Sequence, residues 1–263
     1  MADDLIIDRS AGLLTLTLNR PKRRNAMTPA LADALISALS EAAVDESTRA
    51  VLLNANGDHF CSGWDLGSSA ERPARPAAGH LQRGFPFGPH RLVKLVIDVQ
   101  LPVIVAVQGY AAGFGNSLAL SGDIVIAAES ARFWSPFVPR GFTPDSGTTY
   151  LLPRLIGLAR AKEMILRGKE IDGRTAEQWG LVSRCVPDDE LAEAAREVAQ
   201  ELAASATIAV GLAKTVLHRN LEVDLDAALQ QEGIYEELAV RSDDFKEGMR
   251  AFGERRPPNF TGR

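Results

Sequence analysis

Residues 104–123 read IVAVQGYAAGFGNSLALSGD. The β-branched run Ile104, Val105 and Val107 has strand character and stops at Gln108-Gly109. Gly113 and Gly115 follow within a few residues, and an apolar helical pattern opens with Leu118, Ala119 and Leu120. A strand that feeds a glycine turn and then a helix leaves backbone N–H groups pointing out of the helix start. Such groups can hold a developing negative charge, the main need of an enzyme that passes through an oxyanion or enolate.

A second segment of the same kind lies upstream. Ala50-Val51-Leu52-Leu53-Asn54 reads as a strand and Asn56-Gly57-Asp58 as a turn, before Phe60-Cys61-Ser62-Gly63-Trp64-Asp65-Leu66. Two glycine-bearing strand exits can each offer one N–H to a single oxygen. The competing reading is that the glycines only permit tight turns.

Outward from these segments the chain alternates strand and helix. Residues 13–18, LLTLTL, alternate as a half-buried strand does. Thr28-Pro29 is an N-cap with proline at the first helical position, and Leu31, Leu35, Ala38, Leu39 and Ala42 make one apolar face behind it. Strands are expected at 103–107 and 124–128, and helices at 90–99, 146–156 and 159–167. A short helix begins at Thr175 and ends at Gly180. Residues 67–89, rich in Gly, Pro and Arg without a clear period, read as a mobile loop with a lid role. Such alternation predicts an α/β fold with parallel strands. After Cys185-Val186 no strand signal remains, and helices are expected at 188–204, 208–219, 225–240 and 242–253. The apolar face of Leu225, Ala228, Leu229, Ile234 and Leu238 suits either a subunit contact or an internal core.

Composition narrows the function. The 263 residues carry a net charge of −5, which argues against nucleic acid as the main partner. Cys61 and Cys185 give neither a disulfide framework nor a CxxC metal spacing. His59, His80, His90 and His218 are scattered, so no metal is expected. GxSxG, Walker, GxGxxG and HExxH motifs are absent. The first ten residues, MADDLIIDRS, lack the basic and long apolar regions of a signal peptide, and no run is long enough to span a membrane. A cytoplasmic setting is the resulting expectation.

Phe-Cys-Ser-Gly-x-Asp-Leu at 60–66, Gly-Tyr-Ala-Ala-Gly-x-Gly at 109–115 and Ser-Gly-Asp-Ile-Val-Ile-Ala at 121–127 resemble the crotonase superfamily, the enoyl-CoA hydratases and isomerases. Leu18-Asn19-Arg20-Pro21 with Asn25-Ala26, Pro153-Arg154-Leu155-Ile156-Gly157 and the AEQWGLV run at 176–182 match as well, and the likeness covers residues 13–260. It implies a spiral of ββα repeats over residues 1–190 and a helical trimerisation region over 191–263. It also implies an acyl-CoA thioester as substrate, no cofactor beyond the coenzyme A that the substrate carries, and a homotrimer or hexamer.

The resemblance assigns roles residue by residue. The two N–H donors become the backbone amides of Trp64 and Phe114. The family's hydratases use two glutamates, one to activate water and one to deliver a proton. Those positions hold Ser117 and Phe137 here. Asp145 is the carboxylate left at a family catalytic position, although Pro144-Asp145-Ser146-Gly147 before an apolar helix also reads as an N-cap. One carboxylate suits a single-base proton shuttle that moves a double bond. Trp134, Phe137 and Phe142, with Asn116 and Ser117, are expected to line the acyl pocket, where apolar rings raise the pKa of Asp145. Lys22, Arg23 and Arg24 are expected to meet coenzyme A phosphates, with Ser62, Asp65 and Leu66 along the adenine and pantetheine path. The run at 111–128 and Pro144-Asp145 resemble most the family branch that isomerises ring epoxides, which also lacks both glutamates. Trp64, Phe114, Asn116, the stretch 136–140 and Thr148 depart from it. The alternatives are a hydratase using Asp145 with a water oriented by Ser117 or Asn116, a non-catalytic acyl-CoA binder, and a dehalogenase with Asp145 as nucleophile.

Overall fold

A computed structural model describes residues 4–65, 67 and 78–263. Its elements in chain order are β1 (Leu5–Ser10), β2 (Leu13–Leu18), α1 (Pro29–Ala42), β3 (Ala50–Ala55), α2 (His80–Gly84), α3 (Pro89–Asp98), β4 (Val103–Val107), β5 (Tyr110–Ala112), α4 (Phe114–Leu120), β6 (Ile124–Ala128) and β7 (Arg132–Trp134). They continue as α5 (Thr148–Leu166), β8 (Ile171–Asp172), α6 (Gly173–Trp179), β9 (Arg184–Val186), α7 (Leu191–Ala203), α8 (Thr207–Arg219), α9 (Leu225–Ala239) and α10 (Asp243–Glu254).

The larger sheet has the order β1-β2-β3-β4-β6-β9 and is parallel except for the β1–β2 hairpin. A smaller sheet has the order β5-β7-β8. Each turn of chain gives one strand to each sheet: β4 then β5, and β6 then β7. This is the ββα spiral that the resemblance implies.

Burial explains the strand sequences. In β3, β4 and β6 the alternate residues Val51, Leu53, Val103, Val105, Val107, Val125 and Ala127 face the main core with α1 and α3. Their neighbours Ala50, Leu52, Ile104, Ala106, Ile126 and Ala128 face α7 through Leu191, Ala194, Ala195 and Ala199. Burial on both faces turns alternation into a continuous apolar run. β2 keeps its alternation because Leu14, Leu16 and Leu18 alone are fully buried. Each such leucine contributes roughly 1.5–3 kcal/mol.

Three expectations change. β1, β5 and β8 were not anticipated, because two or three residues carry no measurable period and Leu5–Ser10 is exposed over most of its length. The short helix before Gly180 starts earlier than Thr175: Asp172 is its N-cap and accepts the Thr175 N–H at 2.8 Å. The described part of the expected loop at 67–89 is not structureless, since it holds α2 and the 3₁₀ turn Phe85–Phe87. Elsewhere the reading stands. α5 breaks at Gly157 (φ 77°, ψ 158°), the gap left between the two expected helices. Every element after β9 is helical, and a tail without regular structure follows α10. Among the described residues no helix is long and apolar enough to cross a membrane.

α8 is pinned by a buried ammonium. Lys214 Nζ donates to the carbonyls of Val96 (2.8 Å) and Leu101 (3.0 Å) and pairs with Asp123 (2.7 Å). Asp123 in turn accepts the Val103 N–H at the head of β4. Burial pulls the Lys214 pKa below its ordinary value, against the raising pull of Asp123.

Candidate active site

β5 is the hinge of the site. Cys61 N–H donates to the Tyr110 carbonyl and Ala112 N–H donates to the Cys61 carbonyl, each at 2.9 Å. On its other side the 60–65 segment is clipped to the chain before α1: Met27 N–H to Gly63 O (2.8 Å), Asp65 N–H to Met27 O (2.8 Å) and Ser62 N–H to Arg24 O (3.0 Å). The two glycine-bearing exits therefore run side by side. Gly63 has φ 104°, and a Cβ there would stand 3.0 Å from the Ala112 carbonyl and 3.8 Å from the Phe114 amide nitrogen. At Gly115 any Cβ would collide with the Cys61 carbonyl. Glycine is required at both positions by close backbone approach. The Cys61 thiol between the exits is fully buried, which pushes its pKa up to about 11 and leaves it a packing group.

Phe114 opens α4, so its N–H has no helical acceptor. Among the described residues neither the Trp64 nor the Phe114 N–H has an acceptor in the protein. Their rings meet edge to face, 5.5 Å apart at 88°. Both residues line a cleft of about 590 Å³. Phe137 and Phe142, an edge-to-face pair 5.5 Å apart, line it as well, and Phe85 and Phe87 contribute from the segment before α3.

Asp145 lines the same cleft. It is not an N-cap. α5 begins at Thr148 behind Gly147, with no side-chain capping bond, and Asp145 supplies only its backbone carbonyl to the Thr148 N–H. The competing reading of this residue thus loses its geometry, and the carboxyl is left at the cleft wall. Burial raises its pKa above the ordinary carboxylate value, opposed by the adjacent Ser146 hydroxyl and by His90. Ser146 is buried with a left-handed φ of 52°, a strained state for serine. Its N–H points to His90 Nε2 at 3.4 Å, and its hydroxyl has no hydrogen bond of acceptable geometry among the described residues.

Trp134, Asn116 and Ser117 do not line the cleft. The Trp134 indole N–H is tied to the Gly168 carbonyl at 2.9 Å, behind the pocket wall. Ser117 Oγ forms a buried pair with Thr148 Oγ1 at 2.7 Å. Asn116 is wholly buried and bonded to Ser135 Oγ at 3.3 Å. Asn116 and Ser117 lie on the short, wholly buried α4 and Trp134 on the short strand β7; a family position places such residues along the chain but not the direction of their side chains. Ser62 lines the cleft, whereas Asp65 bonds Arg20 (3.1 Å) and the Gly67 N–H (3.0 Å). Lys22, Arg23 and Arg24 stand exposed on the 3₁₀ turn Pro21–Arg23 and its left-handed exit. Leu66 lies outside the described residues.

Asn25 had no role in the sequence reading and has one here. It is fully buried, accepts the Arg20 N–H (2.7 Å) and donates to the carbonyls of Asn56 (2.9 Å) and His59 (2.7 Å). The basic turn is fastened through it to the first glycine exit. Its φ of 51° is a state that asparagine tolerates better than most residues, which is the signal that could have found it. Among the described residues no group of His, Cys, Asp and Glu is placed to hold a metal ion.

Residues 8–263 match the enoyl-CoA hydratase/isomerase family profile. The 1,2-epoxyphenylacetyl-CoA isomerase of Escherichia coli (strain K12) is 41% identical over 255 residues, 96% of each chain. The chain belongs to the enoyl-CoA hydratase/isomerase family. A second relative, the 2,3-dehydroadipyl-CoA hydratase of the same organism, is 37% identical over 260 residues, 99% of each chain. The crystal structure of an enoyl-CoA hydratase from Bacillus anthracis superimposes with a TM-score of 0.92 at 33% identity, covering 99% of this chain and 100% of that one. The fold is therefore the crotonase type. The family acts on acyl-CoA thioesters, and relatives of this chain carry both isomerase and hydratase names.

Proposed function

We propose that the protein is an enoyl-CoA isomerase that moves a double bond with one base, Asp145, and holds the thioester oxygen on the amides of Trp64 and Phe114. The observation that carries this reading is the pairing of two amides that have no acceptor among the described residues with a partly desolvated carboxyl that caps no helix, along one aromatic cleft. Removing a proton beside the carbonyl, or from its vinylogous carbon, puts negative charge on the thioester oxygen, where the two N–H groups stabilise it. Asp145, now protonated, returns the proton to another carbon of the dienolate. Desolvation helps this task, because a base works best with a pKa drawn up towards the operating pH. The surrounding rings suit a flat or unsaturated acyl group. Lys22, Arg23 and Arg24 are proposed to meet the phosphates of coenzyme A, which enters only as part of the substrate.

The hydratase alternative draws support from the names of relatives such as the dehydroadipyl-CoA hydratase. It is weakened by Ser117 and Asn116, which are bonded away from the cleft and poorly placed to orient a water. The deciding experiment incubates the protein with 3-enoyl-CoA and 2-enoyl-CoA thioesters in D₂O and follows products by NMR. Double-bond migration with deuterium uptake and no hydroxyacyl product is expected. Hydration without migration would overturn the isomerase reading, and tight binding without exchange would favour the non-catalytic binder.

A further inference from the structure

The stretch 136–140, Pro-Phe-Val-Pro-Arg, one of the departures expected from the ring-epoxide branch, ends in a cation on the cleft wall. Arg140 closes the 3₁₀ turn Val138–Arg140, and its N–H donates to the Phe137 carbonyl at 2.9 Å. The turn is wedged in place: Pro139 packs so tightly on Gly168 that a Cβ on that glycine would collide with it. The carbonyl of the same Gly168 holds the Trp134 indole N–H. The Arg140 guanidinium lies over the Trp134 ring, 5.1 Å from its centroid. Trp134 thus acts as a fixed platform behind the cation. A cation–π contact orients a guanidinium without neutralising it. Among the described residues no carboxylate pairs with Arg140. The other titratable residues on the cleft wall are Asp33, His80 and Asp145.

An exposed arginine fork on a wedged turn at the wall of an aromatic cleft, with no carboxylate partner among the described residues, can meet a planar anion from the ligand. Arg140 follows Phe137, whose ring packs near Gly113 at the proposed oxyanion site, and so belongs to the acyl end rather than to the basic turn at 21–24. We infer that Arg140 is a specificity-determining residue that reads a carboxylate at the far end of the acyl group, so that the substrates are mono-CoA thioesters of dicarboxylic acids. This rests on the proposed acyl-CoA site but not on the isomerisation step.

The test measures binding, which needs no turnover. Adipyl-CoA and hexanoyl-CoA share chain length and differ in the terminal carboxylate. Their dissociation constants are measured by calorimetry with the wild type, Arg140→Ala and Arg140→Lys. The wild type is expected to prefer adipyl-CoA, and Arg140→Ala, which removes an exposed charge, to reduce the adipyl-to-hexanoyl affinity ratio roughly twofold to fivefold. Arg140→Lys, which keeps the charge and loses the planar fork, is expected to fall between. A ratio unchanged in both variants, or a wild-type preference for hexanoyl-CoA, overturns the inference. Equal weakening of both ligands also overturns it, since the arginine would then serve the shared coenzyme A. If the ratio behaves as expected while no thioester exchanges protons, the isomerase reading fails and this one stands.

Discussion

At the scale of single residues, Asp145 decides the chemistry. The sequence alone left it divided between base and helix cap, and the geometry removes the cap, because Gly147 occupies that position. Asp145→Asn keeps size and polarity while removing the base. Isomerisation and deuterium exchange should fall about a hundredfold or more. Acyl-CoA affinity should change little, since the proposed oxyanion donors are backbone groups. The raised pKa adds two pH predictions. Asp145 must be ionised to accept a proton, so activity falls as pH drops through its folded-state pKa, with the acid limb above the ordinary carboxylate value of about 3.9. A carboxyl with a raised folded pKa favours the folded state when protonated. That contribution is present below the unfolded pKa and is lost as pH rises through the folded one. Asp145→Asn is therefore expected to match or exceed the wild type in thermal stability at neutral pH, where the wild type holds a partly desolvated charge. Calorimetric melting of the two proteins side by side checks this, and a large drop in Tm with the variant would show that the carboxylate is structural.

At the scale of elements, legibility followed length and burial. β4 and β6 were readable because their two-sided burial demands unbroken apolar runs, and the break in α5 was readable because Gly157 interrupts a long pattern. β5, β7 and β8 form the smaller sheet from two or three residues each, held by long-range pairing that no local pattern records. Yet β5 fixes the site, since its bonds to Cys61 set the spacing of the two exits. Gly115→Ala tests that dependence. The new methyl would meet the Cys61 carbonyl, a backbone atom that cannot swing aside, so the cost should reach or exceed the roughly 1–3 kcal/mol of ordinary overpacking. Denaturant unfolding should show that loss, and any folded fraction should lose exchange activity through a misplaced Phe114 amide. The basic turn calls for a milder expectation. Arg23 and Arg24 are exposed, so each phosphate contact is worth on the order of 0.2–1 kcal/mol. Replacing both with Ala should weaken CoA thioesters several-fold by calorimetry, with kcat retained and the difference shrinking at high salt. An unchanged Kd would mark the turn as ordinary solvated surface.

At the scale of the whole molecule, the spiral was not visible as a sequence repeat, because its turns share geometry rather than residues. It entered through the family motifs, and the alternation of strands between two sheets bears it out. The C-terminal helices raise the opposite question: pattern alone could not say whether the apolar face of α9 is internal. In the protomer it is open, with Leu225 71%, Leu229 54%, Ile234 62% and Leu238 51% exposed. α10 and the tail beyond it are anchored instead. Glu247 grips Arg256 at 2.6 and 3.1 Å, and Asp244 accepts the Thr261 and Gly262 N–H groups. Arg49 reaches from the head of β3 to the carbonyls of Phe260 and Ser205. A helix held at a fixed angle by its anchored neighbours, with its apolar face uncovered, is arranged for another surface. We propose that copies of this chain meet there as a trimer or hexamer. Stable interfaces bury about 1,600 Å² in total, and a run of four large apolar side chains can form the centre of one. Ile234→Asp with Leu238→Asp places two charges in that centre. The doubly substituted chain should sediment as a monomer at micromolar concentration while the wild type sediments as a trimer or larger, with circular dichroism unchanged because neither residue is buried within the protomer. A monomeric wild type, or an oligomer indifferent to both charges, would move the contact away from α9.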